Sequence, residues 1–177
     1  YVRLVGEAVT EYRGEGGPAT PEVRVELPVD AYLPHEYISS ERLRLEAYRR
    51  LSEALTDVDV DAAAEELDDR YGEPPRPVRN LLEVARFRAH ARAAALREVT
   101  LQGRHVSFGP VSLRDWQRVR LDRLYPGALV KQAVGTILVP RPTTAPVGGT
   151  PVRDLELLEW ARGVVDAVLA EAPVSVA

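Results

Sequence analysis

Hydrophobic positions recur along this chain with two periods, and the change from one to the other marks out its elements. From Glu22 to Leu27 polar and apolar residues alternate, with Val23, Val25 and Leu27 on one side. That period of two predicts a strand, which Pro28 ends. From Ser39 to about Arg97 the apolar residues return every three or four positions. Leu43, Ala47, Tyr48, Leu51 and Leu55 form the buried stripe of a helix opened by Ser39 or Ser40. Ala64, Leu67 and Tyr71 form a thinner stripe on a second helix, from about Asp61 to Tyr71, with Gly72 as its stop. Val78, Leu81, Leu82, Ala85, Ala89, Ala93 and Leu96 line a long third helix that starts near Pro77. The loop between strand and helices, residues 29–38, carries Tyr32, Tyr37 and Ile38 as anchors onto the core.

Past Arg97 the runs shorten. Val99 to Leu101 and His105 to Phe108 flank a tight turn and predict a hairpin. Ser112 is placed to cap a short helix reaching Leu124, with Leu113, Trp116 and Val119 inward. Leu129 to Ala133 and Thr136 to Val139 flank Val134-Gly135 and predict a second hairpin. After a Pro/Gly-rich loop, Thr150 as cap and Pro151 in the first turn predict a last helix to about Glu171. No strand-helix-strand alternation appears, so the expected class is α+β: one helix-rich domain over residues 22–172, with small antiparallel hairpins packed on helices. Residues 1–13, with Val2, Leu4, Val5, Ala8, Val9 and Tyr12 at helical spacing, predict a helix belonging to a preceding module. Residues 14–21 (GEGGPATP) read as a linker and residues 173–177 as a loose tail.

Composition narrows the function. The chain has no cysteine, which removes disulfides, thiolate zinc sites and cysteine nucleophiles. It has no methionine and begins with Tyr1, so it is expected to be a fragment of a longer protein. No apolar run is long enough to span a bilayer, and the expectation is a soluble, cytoplasmic protein with no membrane partner. The net charge of −4 departs from the basic balance usual in nucleic-acid modules. Lys131 is the only lysine beside many arginines, as expected of a high-GC genome.

No phosphate-binding glycine loop, GxSxG elbow or kinase signature is present, and His35, His90 and His105 lack metal-ligand spacing. No catalytic residue is assigned, and His90 is read as a polar residue on the outer side of its helix. Two clusters remain. Glu66 and Asp69, spaced i,i+3, project from one helix face. They suit a cationic partner surface, a metal with further ligands, acid/base work, or plain solvation with Glu66 beside Arg70. Arg79, Arg86, Arg88 and Arg92, within the stretch Arg79 to Arg97, suit phosphate contacts or a solvated face.

Four stretches together resemble the C-terminal domain of the bacterial transcription-repair coupling factors. They are Tyr1 to Leu4; VELPVDAYLPHEYISS at Val25 to Ser40 with LRLEAYRRL at Leu43 to Leu51; LDDRYG at Leu67 to Gly72; and PVRNLLEVARFR at Pro77 to Arg88. The resemblance covers roughly the first hundred residues. It implies a non-catalytic, autoinhibitory domain whose parent is an ATP-driven DNA translocase, with ATP and magnesium held in the parent's motor and no cofactor in this segment. The implied partner is the N-terminal UvrB-like module of the same protein. Packing there hides the UvrA-binding surface and restrains DNA binding and ATP turnover until stalled RNA polymerase is engaged. In the family an acidic pair at the DR(F/Y)G motif helps hold that contact, and the matching positions here are Glu66 and Asp69. The rival reading is a DNA-binding accessory module using the arginine helix.

Overall fold

The computed structural model describes residues 22–170; the predicted helix over 1–13, the linker over 14–21 and the tail over 173–177 lie outside them. Strand β1 (Arg24–Glu26) leads through the anchored loop to helices α1 (Glu41–Glu53), α2 (Asp57–Tyr71) and α3 (Arg76–Ala93). There follow β2 (Glu98–Gln102), β3 (His105–Gly109), α4 (Asp115–Leu124), β4 (Leu129–Lys131), β5 (Thr136–Pro140) and α5 (Asp154–Val164), whose last turn widens to a π-helix over Val165–Leu169. The class is α+β, as expected from the patterning. The two hairpins are not separate, however. They join edge to edge into one five-stranded sheet of order β1-β2-β3-β5-β4, in which β1 lies parallel to β2 and every other pair is antiparallel.

Two cores meet at α3. Val99, Val106, Phe108, Ile137 and Val139 on one face of the sheet pack with Phe87 and Ala91 of α3, Leu121 of α4 and Leu158, Ala161 and Val164 of α5. On its other side α3 turns Val78, Leu82 and Ala85 into a helical core with Leu51 of α1, Val60, Ala63 and Leu67 of α2, and Leu33 and Ile38 of the anchored loop. This is why α3 buries more than one stripe, including Asn80, whose amide nitrogen donates to the Asp30 carbonyl at 2.9 Å. The predicted stripe captured Val78, Leu82, Ala85 and Ala89 but not Phe87 or Ala91, which serve the sheet side.

Several boundaries differ from those predicted, each for a local reason. Helix α2 starts at Asp57, four residues early, because Thr56 and Asp59 form a capping box. The Thr56 hydroxyl accepts from the Asp59 amide at 3.2 Å, and the Asp59 carboxylate accepts from the Leu55 and Thr56 amides at 3.0 and 3.1 Å. Helix α3 stops at Ala93 rather than Arg97, closed by Ala95 at φ 63 with the Leu96 amide donating back to the Ala91 carbonyl. Helix α4 begins at Asp115, not at Ser112, and turns Gln117 and Leu121 inward while Val119 is 68 % exposed. Gln117 is held there by bonds to the Arg114 amide and the Val168 carbonyl. The last helix begins at Asp154 rather than Pro151. The Thr150 and Val152 amides are already spent inside the loop, on the Thr144 hydroxyl and the Pro142 carbonyl, and Pro151 bridges to Thr143. In α1 only Leu51 of the predicted stripe is fully buried, and Leu55 lies beyond the helix.

Candidate partner-binding site

The anchored loop sets the three helices against one another. Its residues are spent on backbone groups that no helix or strand would satisfy. The Leu33 amide donates to the Tyr48 hydroxyl of α1 at 2.8 Å, and the Tyr32 amide to the Pro77 carbonyl at 3.2 Å. Arg44 of α1 reaches back to the Ile38 carbonyl at 2.8 Å. Ser40 caps α1, its hydroxyl accepting from the Leu43 amide at 3.3 Å. Tyr37 lies against Tyr71 with ring centroids 5.7 Å apart, and its hydroxyl reaches the end of α2. Burial pushes the Tyr37 phenol above its ordinary pKa, with the Asp68 carboxylate adding to the effect.

These ties hold α1 and α2 apart over a groove of about 250 Å³. Leu43, Ala47, Leu51, Ala63 and Leu67 make its floor, and Arg50, Glu66 and Arg70 stand at its rim. Glu66 takes an ion pair from Arg50 across the groove and lies 3.6 Å from Arg70 on its own helix. Arg70 also stacks over the Tyr71 ring at 5.3 Å. Along α1, i,i+4 spacing offers Glu46 to both Arg42 and Arg50; in the structure Glu46 meets Arg42 at 2.9 Å, and Arg50 turns to α2 instead. Asp69, one turn beyond Glu66, is exposed, as are Glu65 and Asp68. No described cation lies within ion-pair distance of these three carboxylates. Glu66 and Asp69 thus stand on one helix with different surroundings, the first engaged by its own chain and the second open.

The four candidate arginines of α3, Arg79, Arg86, Arg88 and Arg92, are dispersed rather than gathered. Arg86 pairs with Asp61 of α2 at 2.6 Å and with Glu83 at 3.5 Å. Arg92 donates to the Leu55 carbonyl at 3.1 Å, closing the turn after α1. Arg88 packs inward, where burial and the nearby Arg92 pull its guanidinium below its ordinary pKa. Arg79 is the exposed member of the set. His90 does not face outward: its Nε2 lies 2.6 Å from the Asp166 carboxylate and ties α3 to the π turn after α5. Among the described residues no group of three or more His, Cys, Asp or Glu side chains is gathered to hold a metal ion. No described helix is long and apolar enough to cross a membrane.

What the sequence pattern missed at this site is the cross-groove partner of Glu66. The i,i+4 rule pairs Arg50 within its own helix, and nothing in linear spacing announces a contact between α1 and α2.

Comparison with known proteins places this architecture. The family model of the TRCF domain matches residues 27–117, which hold the anchored loop, the three helices, the first hairpin and the start of α4. A transcription-repair-coupling factor of Mycobacterium bovis is 42 % identical over 180 residues, covering 95 % of this chain. One of Staphylococcus epidermidis is 36 % identical over 110 residues, covering 61 % of the chain. The chain spans only 15 % and 9 % of the lengths of these two relatives. A crystal structure of the C-terminal domain of a transcription-repair coupling factor superposes with a TM-score of 0.66 at 21 % identity, covering 85 % of this chain and 94 % of that one. The chain therefore belongs to the TRCF domain family, with the fold of the C-terminal domain of a transcription-repair coupling factor.

Proposed function

We propose that this chain is the regulatory, autoinhibitory domain of a transcription-repair coupling factor. In this reading it packs on the parent's N-terminal UvrB-like module, masks the UvrA-binding surface, and restrains DNA binding and ATP turnover until stalled RNA polymerase is engaged. The motor, with its ATP and magnesium, lies elsewhere in the parent. The chain itself acts by contact, not catalysis.

The observation that carries the reading is the acidic face of α2. Glu65, Asp68 and Asp69 are exposed and Glu66 stands at the groove rim, all on a helix held from beneath by the anchored loop. A rigid helix presenting several carboxylates matches a surface bearing arginine, where planar guanidinium groups make charge-assisted, paired hydrogen bonds. A latch that has to open calls for a modest contact, since a ligand shifts such an equilibrium only by its differential affinity for the two states. Polar contacts at the rim of a groove meet that requirement better than a large apolar interface does.

The test is Glu66→Ala with Asp69→Ala in the full-length parent, reading UvrA binding and ATP turnover. Both are expected to rise as the closed state loses its contact. Unchanged values for both would overturn the reading.

A further inference from the structure

The helical core carries a second groove, between α1 and α3, of about 350 Å³. Leu51 of α1 and Leu81 and Ala85 of α3 make its apolar floor, with Tyr48 beside them. Two arginines from different helices line it, Arg49 and Arg88. Among the described residues neither has a carboxylate within ion-pair distance. The charges around them are spent elsewhere: Glu46 on Arg42, and Asp61 and Glu83 on Arg86. Arg92, one turn beyond Arg88, is held at the Leu55 carbonyl at 3.1 Å. Arg88 is thus half-buried with a like charge beside it. Burial first and Arg92 second hold its guanidinium below its ordinary pKa, against the opposing pull of Glu22. A partly dehydrated cation without a counter-ion costs the fold free energy, and an anion that reaches it recovers some of that cost.

We propose that the α1–α3 groove binds one nucleotide unit of single-stranded nucleic acid, its phosphate taken by Arg88 and Arg49 and its base laid on Tyr48 and the apolar floor. Guanidinium forks match phosphate oxygens in pairs. A carboxylate or a bare phosphate would use the arginines and leave the floor wet, whereas a nucleoside carried on the phosphate covers it. Tyr48 is fixed for that role. Its hydroxyl accepts from the Leu33 amide at 2.8 Å, while 36 % of the residue stays exposed. Stacking of a base on an aromatic ring is tolerant of sequence. A duplex does not fit, because its bases lie inside the stack and offer no free face. Ser52 also lines the groove but adds no donor, since its hydroxyl donates to the Arg49 carbonyl at 2.8 Å. The net charge of −4 argues against a long basic track, and a site for one nucleotide needs none.

The experiment titrates a fluorescently labelled single-stranded oligothymidylate with the 177-residue chain, whose two cores are built from its own residues, and follows anisotropy at several salt concentrations. Binding is expected to weaken with salt at a log–log slope of about −0.7 to −1.4, that of one or two phosphate contacts on a single strand. Arg88→Gln and Arg49→Gln are each expected to weaken it about three- to tenfold, the span from an exposed to a half-buried charged contact. Arg123→Gln, at an exposed position of α4, is expected to match the wild type. No binding at low salt, or binding that both groove variants leave unchanged, overturns the proposal. Competitors test the ligand. Displacement by polyglutamate as readily as by unlabelled strand makes the groove a seat for an acidic protein segment. Equal displacement by inorganic polyphosphate shows that no base is read. Equal displacement by thymidine monophosphate, nucleotide for nucleotide, moves the site from a strand to a free nucleotide. Each of these three results overturns the proposal as well. Should Arg88→Gln lower the unfolding midpoint of the chain, Arg49→Gln decides, since Arg49 is exposed and its loss leaves the floor in place.

Discussion

The hydroxyl of Tyr37 lies 2.8 Å from the carbonyl oxygen of Gly72 and 3.1 Å from that of Leu67, so a residue of the anchored loop closes the C-terminal end of α2. Gly72, at φ 87, turns the chain away from the helix, and the tyrosine hydroxyl ties its carbonyl, just past the helix end, to the last turn at Leu67. The tyrosine thereby orients the turn that carries Asp69 and Arg70. Tyr37→Phe keeps the ring against Tyr71 and removes only the donor. It is expected to cost about 1–2 kcal/mol, the loss of one partly buried hydrogen bond. Urea titration of the wild type and variant checks it. An unchanged midpoint would show that water replaces the tyrosine without loss.

The sharing of α3 between two cores predicts that they unfold together. Leu82 lies in the helical core and Trp160 packs on the sheet core, 6.3 Å from Phe108 between ring centroids. Leu82→Ala is expected to destabilise by about 2–5 kcal/mol, as for a buried leucine truncated without collapse. The tryptophan fluorescence transition is expected to move by the same amount as the far-ultraviolet dichroism, although the mutation is in the other core. A fluorescence midpoint that stays put while the dichroism splits into two steps would show independent cores.

What could be read from the sequence was what depends on near neighbours. Ser40 as a cap, Gly72 as a stop and the tight turn at Gly103-Arg104 are short-range signals, and the structure keeps all three. The start of α2 was also legible, in the Thr56 to Asp59 spacing of a capping box, but the thin apolar stripe drew the boundary inward. The parallel pairing of Arg24 with Glu98 was not, because the two lie 74 positions apart with the anchored loop and three helices between them, and neither strand announces a parallel neighbour. The acidic pair Glu66 and Asp69 was found by spacing, but the difference between its members was not. That difference is made by Arg50 on another helix, and sequence separation hides it.

Ala95 offers a test with the opposite sign. It sits at φ 63 in the turn that ends α3, is exposed, and has a side chain in a region that disfavours one. Ala95→Gly relieves that strain and gives up some unfolded-state restriction, so a net gain of about 0.5–1 kcal/mol is expected. A higher thermal midpoint with unchanged dichroism would bear this out; a lower one would mean that the Ala95 methyl group contributes packing.

The capping box of α2 makes the helix sensitive to acid. Asp59 accepts from the Leu55 and Thr56 amides, and these bonds hold its carboxyl below the ordinary aspartate pKa. A carboxyl whose pKa is lowered on folding binds its proton more readily in the unfolded chain. Its stabilising effect is therefore complete above the unfolded-state value, about 3.9, and fades as pH falls through the lower folded value. Asp59→Asn removes that titration while leaving an oxygen to accept from the amides. The stability difference between wild type and variant is expected to be constant from neutral pH down to about 5 and to shrink below about 4. Thermal unfolding followed at a series of pH values measures it. A difference that stays constant through that acid range would show that the bonds at Asp59 carry no charge-dependent part.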